Sequence, residues 1–238
     1  MLFVRSLLFQ AFWWGVSAVM TISHVPLFLA PRTWTVHQIK MWGRISMWGL
    51  RNIVGIRIEV RGAENIPQNG GLIASKHQTM WETIALFNLN PDPAIIFKRE
   101  LTYVPFYGWY AMKAGMILID RSTQAKAMRR MIRRGKECIE QNRQVVVFPE
   151  GTRRPVGAEP EYLSGIYGLY SQLGVPCTPV AHNSGLFWPR RGYIWKPGTI
   201  TIEFLPPIQP GLKRKEFMSV MQDTIETATN KLVADAKK

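Results

Sequence analysis

The chain has few cysteines and few acidic residues. Two cysteines, Cys138 and Cys177, occur among 238 residues, and no metal-ligand spacing relates them. The sequence therefore indicates neither a disulfide framework nor a zinc site, and we expect a reducing compartment. Against 16 Asp and Glu stand 30 Lys and Arg, giving a formal net charge of +14. This excess indicates an anionic partner, such as nucleic acid, an acidic membrane surface or a phosphorylated small molecule.

Two sequence motifs of hydrolytic enzymes are also missing. No G-x-S-x-G stretch occurs, because Ser164 and Ser184 both lack the first glycine of that turn. The four histidines show no ligand spacing, so we expect no metal site. A serine lipase and a metal-dependent hydrolase are therefore both disfavoured.

Charged residues are absent from Ser6 to Pro31. A stretch of this length can form one membrane span of about 20 residues, or a shorter helix that enters and leaves one leaflet. Basic residues flank both ends, which favours the one-leaflet arrangement. A signal peptide is the competing interpretation, but no convincing cleavage site follows. We expect this stretch to be a membrane anchor.

The following segment, 32–54, supports a membrane-associated N-terminus. On a helical wheel its aromatic and aliphatic residues share one arc, and Lys40, Arg44 and Arg51 share another. This pattern suits a helix in the lipid headgroup region, although a core-packed helix with solvated basic residues would show it too. The aromatics cluster with the apolar stretch, so we expect a lipid bilayer and no nucleic acid. We assign 1–54 to membrane-anchoring helices and 55–238 to a catalytic domain.

Beyond residue 54, strand and helix patterns alternate. Short apolar or alternating runs predict strands at 56–60, 72–74, 94–97, 116–119, 145–148, 178–181 and 199–204. Helical patterns cover 79–88, 123–142 and about 213–236. Strands separated by helices predict a single α/β domain with a central mixed sheet flanked by helices. Chemistry in such sheets collects in the loops at strand ends.

His77 and Glu82 lie in one such loop and the helix after it. Thr79 and Glu82 have the spacing of a helix capping box, so Glu82 can be a routine cap. If His77 lies on the loop and Glu82 in the first helical turn, the carboxylate can instead orient the imidazole. The imidazole would then remove a proton from an alcohol. This pair has no nucleophile of its own, so the nucleophile should be a substrate hydroxyl.

Three basic residues follow other predicted strands. Arg121 ends GMILIDR, Arg153 lies in FPEGTRR, and Lys98 ends a further strand. Guanidinium groups match phosphate oxygens, so these cations at one sheet edge suggest a phosphate site. Singly, each would more often be a solvated loop residue.

Taken in order, these motifs resemble those of the 1-acylglycerol-3-phosphate acyltransferase family. The family has an H-x4-D motif, a strand that ends in arginine, F-P-E-G-T-R and V-P-x-x-P-V. This chain has His77–Glu82, GMILIDR, FPEGTR and VPCTPV, over about 72–185. Two positions depart from the family pattern: Glu82 replaces aspartate, and 162–165 read YLSG where the family often has F-K-x-G.

The resemblance implies transfer of a fatty acyl group from acyl-CoA or acyl carrier protein to the sn-2 hydroxyl of lysophosphatidate. His77 and Glu82 would be catalytic. The residues that would bind substrate are Lys98, Arg121, Glu150, Gly151, Thr152 and Arg153. No cofactor is expected beyond the thioester co-substrate. The implied location is the cytoplasmic side of the inner membrane.

Alternative functions stay open from the sequence. The acceptor can be another lyso-lipid, such as a lyso-ornithine lipid or a lysophospholipid. A lipid hydrolase and a non-catalytic basic membrane-binding protein are the remaining interpretations.

Overall fold

The computed structural model describes residues 1–104, 107–120, 124–188 and 192–237. The strands are β1 (Ile56–Arg61), β2 (Gly71–Ser75), β3 (Pro93–Lys98), β4 (Ile117–Ile119), β5 (Gln144–Val147), β6 (Cys177–His182) and β7 (Gly198–Phe204). The α-helices are α1 (Leu2–Ser23), α2 (Arg32–Gly49), α3 (Trp81–Leu89), α4 (Tyr107–Lys113), α5 (Gln124–Glu140), α6 (Gly165–Leu173) and α7 (Arg214–Asp235). Each strand lies within a residue or two of a predicted one.

The strands form one seven-stranded mixed sheet in the order β1-β7-β6-β2-β5-β3-β4. The five strands from β6 to β4 are mutually parallel, whereas β7 runs antiparallel to β6 and β1 parallel to β7. Every residue of β2 and β5 is buried, as is typical of parallel strands with both faces covered. The predicted α/β fold with a central mixed sheet is confirmed. We call the edge at which β2 to β6 end the carboxyl edge.

Alternating side chains divide the core into two layers. On one face Ile73, Ile95 and Val146 pack with residues of α1, α2 and α3. On the other face Leu72 and Val145 pack with residues of α5, α6 and α7. Because side chains of a strand alternate between the faces of its sheet, these strand neighbours belong to opposite layers. The N-terminal helices and α5 therefore lie on opposite faces.

The two N-terminal helices form an antiparallel hairpin. Trp13 donates from Nε1 to Ser46 Oγ at 3.1 Å, and Trp42 donates from Nε1 to Ser17 Oγ at 2.9 Å. Trp42, expected on a lipid-facing arc, therefore points into the hairpin. Lys40, expected in a solvated basic stripe, donates to the backbone carbonyls at 90 and 91, at 2.7 Å each. Both residues deviate because α2 packs against α1 and α3.

The outer surface of the hairpin is strongly apolar. Large hydrophobic side chains are exposed along it, including Trp14, Val19, Ile22, Leu29, Trp34 and Trp48. By length and composition α1 is the one helix among the described residues that could span a membrane. The inner surface shares a hydrophobic cluster with the sheet, because Phe9 packs against Trp188 and Trp195. The boundary between 54 and 55 stays a prediction.

Candidate active site

His77 lies on the loop between β2 and α3, and Glu82 in the first turn of α3. This is the placement that the sequence required for the two side chains to meet. His77 Nδ1 and Glu82 Oε1 are 2.8 Å apart. The Glu82 side chain is fully buried, whereas that of His77 is 15% exposed. Solvent can therefore reach the imidazole, whereas the carboxylate is shielded from it.

The carboxylate of Glu82 also caps the helix. It accepts hydrogen bonds from the backbone N–H groups of Gln78 and Thr79 and from the Thr79 hydroxyl, at 2.6–2.8 Å for the shortest contact of each. Thr79 Oγ1 in turn accepts from the backbone N–H of Trp81 at 3.0 Å. The capping box and the His–Glu pair, which the sequence presented as alternatives, coexist in one carboxylate.

These contacts determine the charge of Glu82. Burial alone would raise its pKa, but the nearby imidazoles of His182 and His77 and the Thr79 hydroxyl lower it to about 2. Burial lowers the pKa of His182, and the hydrogen bonds from His77 and Thr79 also stabilise the ionised Glu82 carboxylate. The ionised Glu82 accepts a hydrogen bond from His77 Nδ1–H, so the ring proton stays on Nδ1. This leaves Nε2 with its lone pair, which is the state needed for a base.

The FPEGTR loop after β5 holds His77 by its backbone. His77 N–H donates to Glu150 Oε2 at 2.8 Å, and the His77 carbonyl accepts from Arg154 N–H at 2.8 Å. The Phe148 ring stacks on the imidazole, with ring centroids 4.1 Å apart and an interplanar angle of 19°. The loop can make this close turn because Gly151 adopts a left-handed conformation, with φ of 63°. His77 is therefore fixed in position and orientation.

Lys76, which the sequence did not single out, supports the same loop from inside. Its ammonium lies 2.9 Å from Glu150 Oε1 and 2.7 Å from Glu226 Oε1 on α7. Tyr162 donates to the same Glu226 oxygen at 2.7 Å. Burial raises the pKa of Glu150 although Lys76 opposes this. A lysine directly after a strand normally points to solvent, so no local pattern could have revealed this buried network.

The predicted substrate-binding residues are distributed along the carboxyl edge. Lys98 ends β3 and is exposed, as are Thr152 and Arg153 in the loop after β5. Neighbouring strands lie about 4.8 Å apart, so the end of β3 is about 10 Å from that of β2. Arg99 pairs with Asp120 at 2.7 Å and so is engaged elsewhere.

Arg121 and Glu150 differ in placement from the other predicted substrate-binding residues. Arg121 follows β4 and lies outside the described residues. Glu150 is buried and directs its oxygens to Lys76 and the His77 backbone, so its carboxylate contacts the loop that carries His77. Roles in substrate binding stay predictions for both residues, and also for Lys98, Gly151, Thr152 and Arg153.

Several other groups can be placed relative to the site. His182 is fully buried, and its Nε2 forms a hydrogen bond with the Lys76 carbonyl at 2.9 Å, which is consistent with a packing role. Both cysteines are buried, and burial raises the pKa of each thiol. Among the described residues, no group of three His, Cys, Asp or Glu side chains could hold a metal ion.

Comparison with known proteins identifies the family. A family model described as Acyltransferase matches residues 57–183, which is more than half of the chain. The chain belongs to this acyltransferase family. The matched region contains the His77–Glu82 pair and the FPEGTR loop, so the candidate site lies inside it.

Relatives and a solved structure support the assignment of this acyltransferase. It is 39% identical over 209 residues to the 1-acyl-sn-glycerol-3-phosphate acyltransferase of Pseudomonas aeruginosa, covering 85% of this chain and 80% of that one. It is 29% identical over 202 residues to the human 1-acyl-sn-glycerol-3-phosphate acyltransferase alpha, covering 84% and 71%. The crystal structure of the acyltransferase PlsC from Thermotoga maritima matches with a TM-score of 0.80 over 98% of this chain and 99% of that one; at 21% identity this likeness shows the fold.

Proposed function

We propose that this acyltransferase moves a fatty acyl group from a thioester to the sn-2 hydroxyl of 1-acyl-sn-glycerol 3-phosphate, which gives phosphatidic acid. The observation that carries the proposal is the His77–Glu82 hydrogen bond in a loop that opens to solvent on one side. The names of the relatives supply the acceptor. The thioester is a co-substrate, so no other cofactor is needed.

In the proposed reaction His77 Nε2 takes the proton of the acceptor hydroxyl. The acceptor oxygen attacks the thioester carbonyl, the carbon–sulfur bond breaks and the thiol leaves with a proton from the imidazolium. Glu82 stabilises the imidazolium, since its ionised carboxylate lies 2.8 Å from Nδ1. Transfer is direct, because the two cysteines are buried with raised pKa values and cannot act as acyl carriers.

Lys98, Arg121 and Arg153 are the proposed phosphate ligands. Lys98 and Arg153 are exposed at the carboxyl edge. Neither forms an ion pair with another described residue, so both cations are available to an anionic headgroup. Gly151 and Thr152 would line the same turn, with Glu150 holding it from below. We propose that the hairpin anchors the protein to the cytoplasmic side of the inner membrane, where it meets lipid acceptors.

The direct test is acyl transfer by the purified full chain in uncharged detergent, with lysophosphatidate and acyl-CoA or acyl carrier protein thioesters. His77→Ala should lower kcat by about 10²–10⁴, the usual contribution of a general base. His37→Ala, at an exposed histidine of α2, is the matched control and should stay near the wild-type rate. Normal transfer by a folded His77→Ala protein would contradict the mechanism.

A second assay tests the acceptor. Lysophosphatidate should be used far better than monoacylglycerol or a lyso-ornithine lipid, which lack the phosphate. Arg153→Gln should raise the KM for lysophosphatidate about tenfold or more, because a charge-assisted contact is lost. Equal turnover of acceptors with and without phosphate would argue for another lyso-lipid as substrate.

A further inference from the structure

Helix α5 carries a continuous basic surface that the proposed reaction does not use. The 17-residue helix contains six basic and two acidic residues. We call its basic residues the basic face of α5: Lys126, Arg129, Arg130, Arg133, Arg134 and Lys136. The first four of these side chains lie within an arc of about 100° on the helical wheel. Opposite them, Ala127, Met131 and Cys138 are buried in the core.

Ion pairing within the described residues leaves most of this face uncompensated. Arg134 pairs with Glu137 at 2.5 Å, and Arg133 approaches the same carboxylate at 3.9 Å. Lys126, Arg129 and Arg130 are exposed and form no ion pair with a described residue. Lys136 is likewise exposed and forms no ion pair with a described residue, so the free cations run along the helix from residue 126 to residue 136.

That distribution is electrostatically unfavourable for the isolated chain. Lys126 and Arg130 are four residues apart, as are Arg129 and Arg133, and like charges at this spacing destabilise a helix. Lys126 also lies in the first turn of the helix, at the positive end of the helix dipole, where cations are disfavoured. An anionic partner would relieve both effects at once. Basic residues at a helix C-terminus would stabilise the helix without a partner. Because the basic face of α5 instead destabilises its helix, it indicates a binding partner more strongly.

The position of α5 distinguishes among anionic partners. α5 packs on the sheet face opposite to the α1–α2 hairpin. If the apolar surface of the hairpin lies on the membrane, the basic face of α5 points away from lipid headgroups. The helix also begins just after β4, so its free cations lie near the carboxyl edge, about three strand spacings or 14 Å from the end of β2. The partner is therefore soluble and acts close to the site.

The length of the basic face favours an extended acidic surface over a small anion. From residue 126 to 136 the helix rises about 15 Å. A few phosphate groups would neutralise two or three neighbouring cations, whereas a protein surface can match the whole row. We propose that the basic face of α5 docks a small acidic carrier protein that presents the acyl thioester on a flexible arm. This inference rests on the proposed function, for which it specifies the donor.

The test compares acyl carrier protein and acyl-CoA as donors to lysophosphatidate in uncharged detergent, at low salt, using the full chain. The variant Lys126→Gln/Arg129→Gln/Arg130→Gln removes three free cations and keeps good helix formers. The matched control, Lys213→Gln/Arg214→Gln/Lys215→Gln, removes three exposed cations at the start of α7. The α5 variant should raise the KM for the carrier-bound donor at least about tenfold, as expected from three lost ion pairs. Its KM for acyl-CoA and its kcat should stay within about twofold of wild type, and the control should match wild type for both donors.

The other outcomes overturn the proposal and are distinguishable. An unchanged KM for the carrier donor, or no use of that donor by the wild-type protein, contradicts docking and leaves acyl transfer from acyl-CoA intact. An equal rise for both donors would show that the basic face binds an anion common to both assays. No transfer by the wild-type protein from either donor would mean that the proposed function itself fails.

Discussion

At the residue scale, the Glu82 carboxylate links the geometry of the α3 helix to the orientation of the His77 imidazole. Glu82 Oε1 accepts hydrogen bonds from the backbone N–H groups of Gln78 and Thr79. The same atom forms a hydrogen bond with His77 Nδ1 and so orients the imidazole. The start of α3 and the position of the imidazole are consequently not independent. A change at Glu82 should affect both the fold of the loop and the catalytic rate.

Shortening Glu82 tests this geometry. Glu82→Asp restores the aspartate of the family motif, but in this chain the helix begins at Trp81 and the carboxylate is placed for a longer side chain. Aspartate can still cap Thr79, whereas its reach to His77 Nδ1 is shorter by one methylene. We expect kcat to fall about tenfold or more, since misplaced general bases lose most of their effect. Glu64→Asp, at an exposed position, is the control. A Glu82→Asp protein at least as active as wild type would show that the loop adapts to the shorter side chain.

Glu82 should also make stability depend on pH. Its pKa is lowered to about 2 in the folded chain, from about 4.3 when unfolded. A lowered acid pKa stabilises the fold above the unfolded value, and that stabilisation is lost as the pH falls from about 5 towards 2. Glu82→Gln cannot ionise, so its free energy of unfolding should decline less steeply over this range, by up to about 3 kcal/mol. Urea unfolding of both proteins at several pH values measures this, and equal pH slopes would contradict the assignment.

At the scale of secondary-structure elements, a buried ion network connects α7 to the loop of His77. Lys76 contacts both Glu150 and Glu226, and Glu150 holds the His77 backbone. α7 is distant in sequence, yet its Glu226 contacts the loop that carries His77 through Lys76. The network explains how a loop with a partly exposed histidine stays ordered.

Removing the lysine should expose the cost of this arrangement. Lys76→Met leaves the buried Glu150 carboxylate without its cation, which should lower the free energy of unfolding by about 3–5 kcal/mol. The double variant Lys76→Met/Glu150→Gln removes both charges and should recover part of the loss, because the two changes are coupled. Thermal unfolding monitored by circular dichroism measures this, with Lys215→Met as an exposed control. If Lys76→Met and the control are equally stable, the ammonium contributes nothing there.

The strands were predictable from sequence, but their arrangement was not. Alternation and apolar runs are local properties, so all seven strands and the helices α3, α5 and α7 could be located. Strand order depends on pairing between distant segments, such as β1 with β7, which no local period encodes. The His77–Glu82 contact could be predicted from the sequence because the two residues are only five positions apart. Lys76 and Glu226 are 150 positions apart, and their contact could not be predicted in this way.

At the scale of the whole molecule, the helices on the two faces of the sheet have different outer surfaces. The surface is apolar on one face and basic on the other. The hairpin of α1 and α2 exposes tryptophan and aliphatic side chains, whereas α5 exposes arginine and lysine. The carboxyl edge, with His77, lies between these two surfaces. A lipid acceptor approaching from the membrane and a soluble donor approaching from the opposite face would therefore meet at the site.

The exposed aliphatic side chains of the hairpin should carry membrane binding. Val19 and Ile22 are about two-thirds exposed on α1, at 66% and 68%. Val19→Lys/Ile22→Lys should leave the stability of the fold nearly unchanged, because these side chains pack on little. In the membrane-bound state these two aliphatic side chains would be buried in the bilayer, which contributes about 1.5–3 kcal/mol for each. Their loss should therefore weaken partitioning to vesicles at least about 100-fold. Sedimentation with neutral vesicles, which exclude electrostatic attraction, measures this. The control Val60→Lys/Val220→Lys changes two exposed valines outside the hairpin and should sediment like wild type, and an equal loss in both variants would mean that the hairpin is not the anchor.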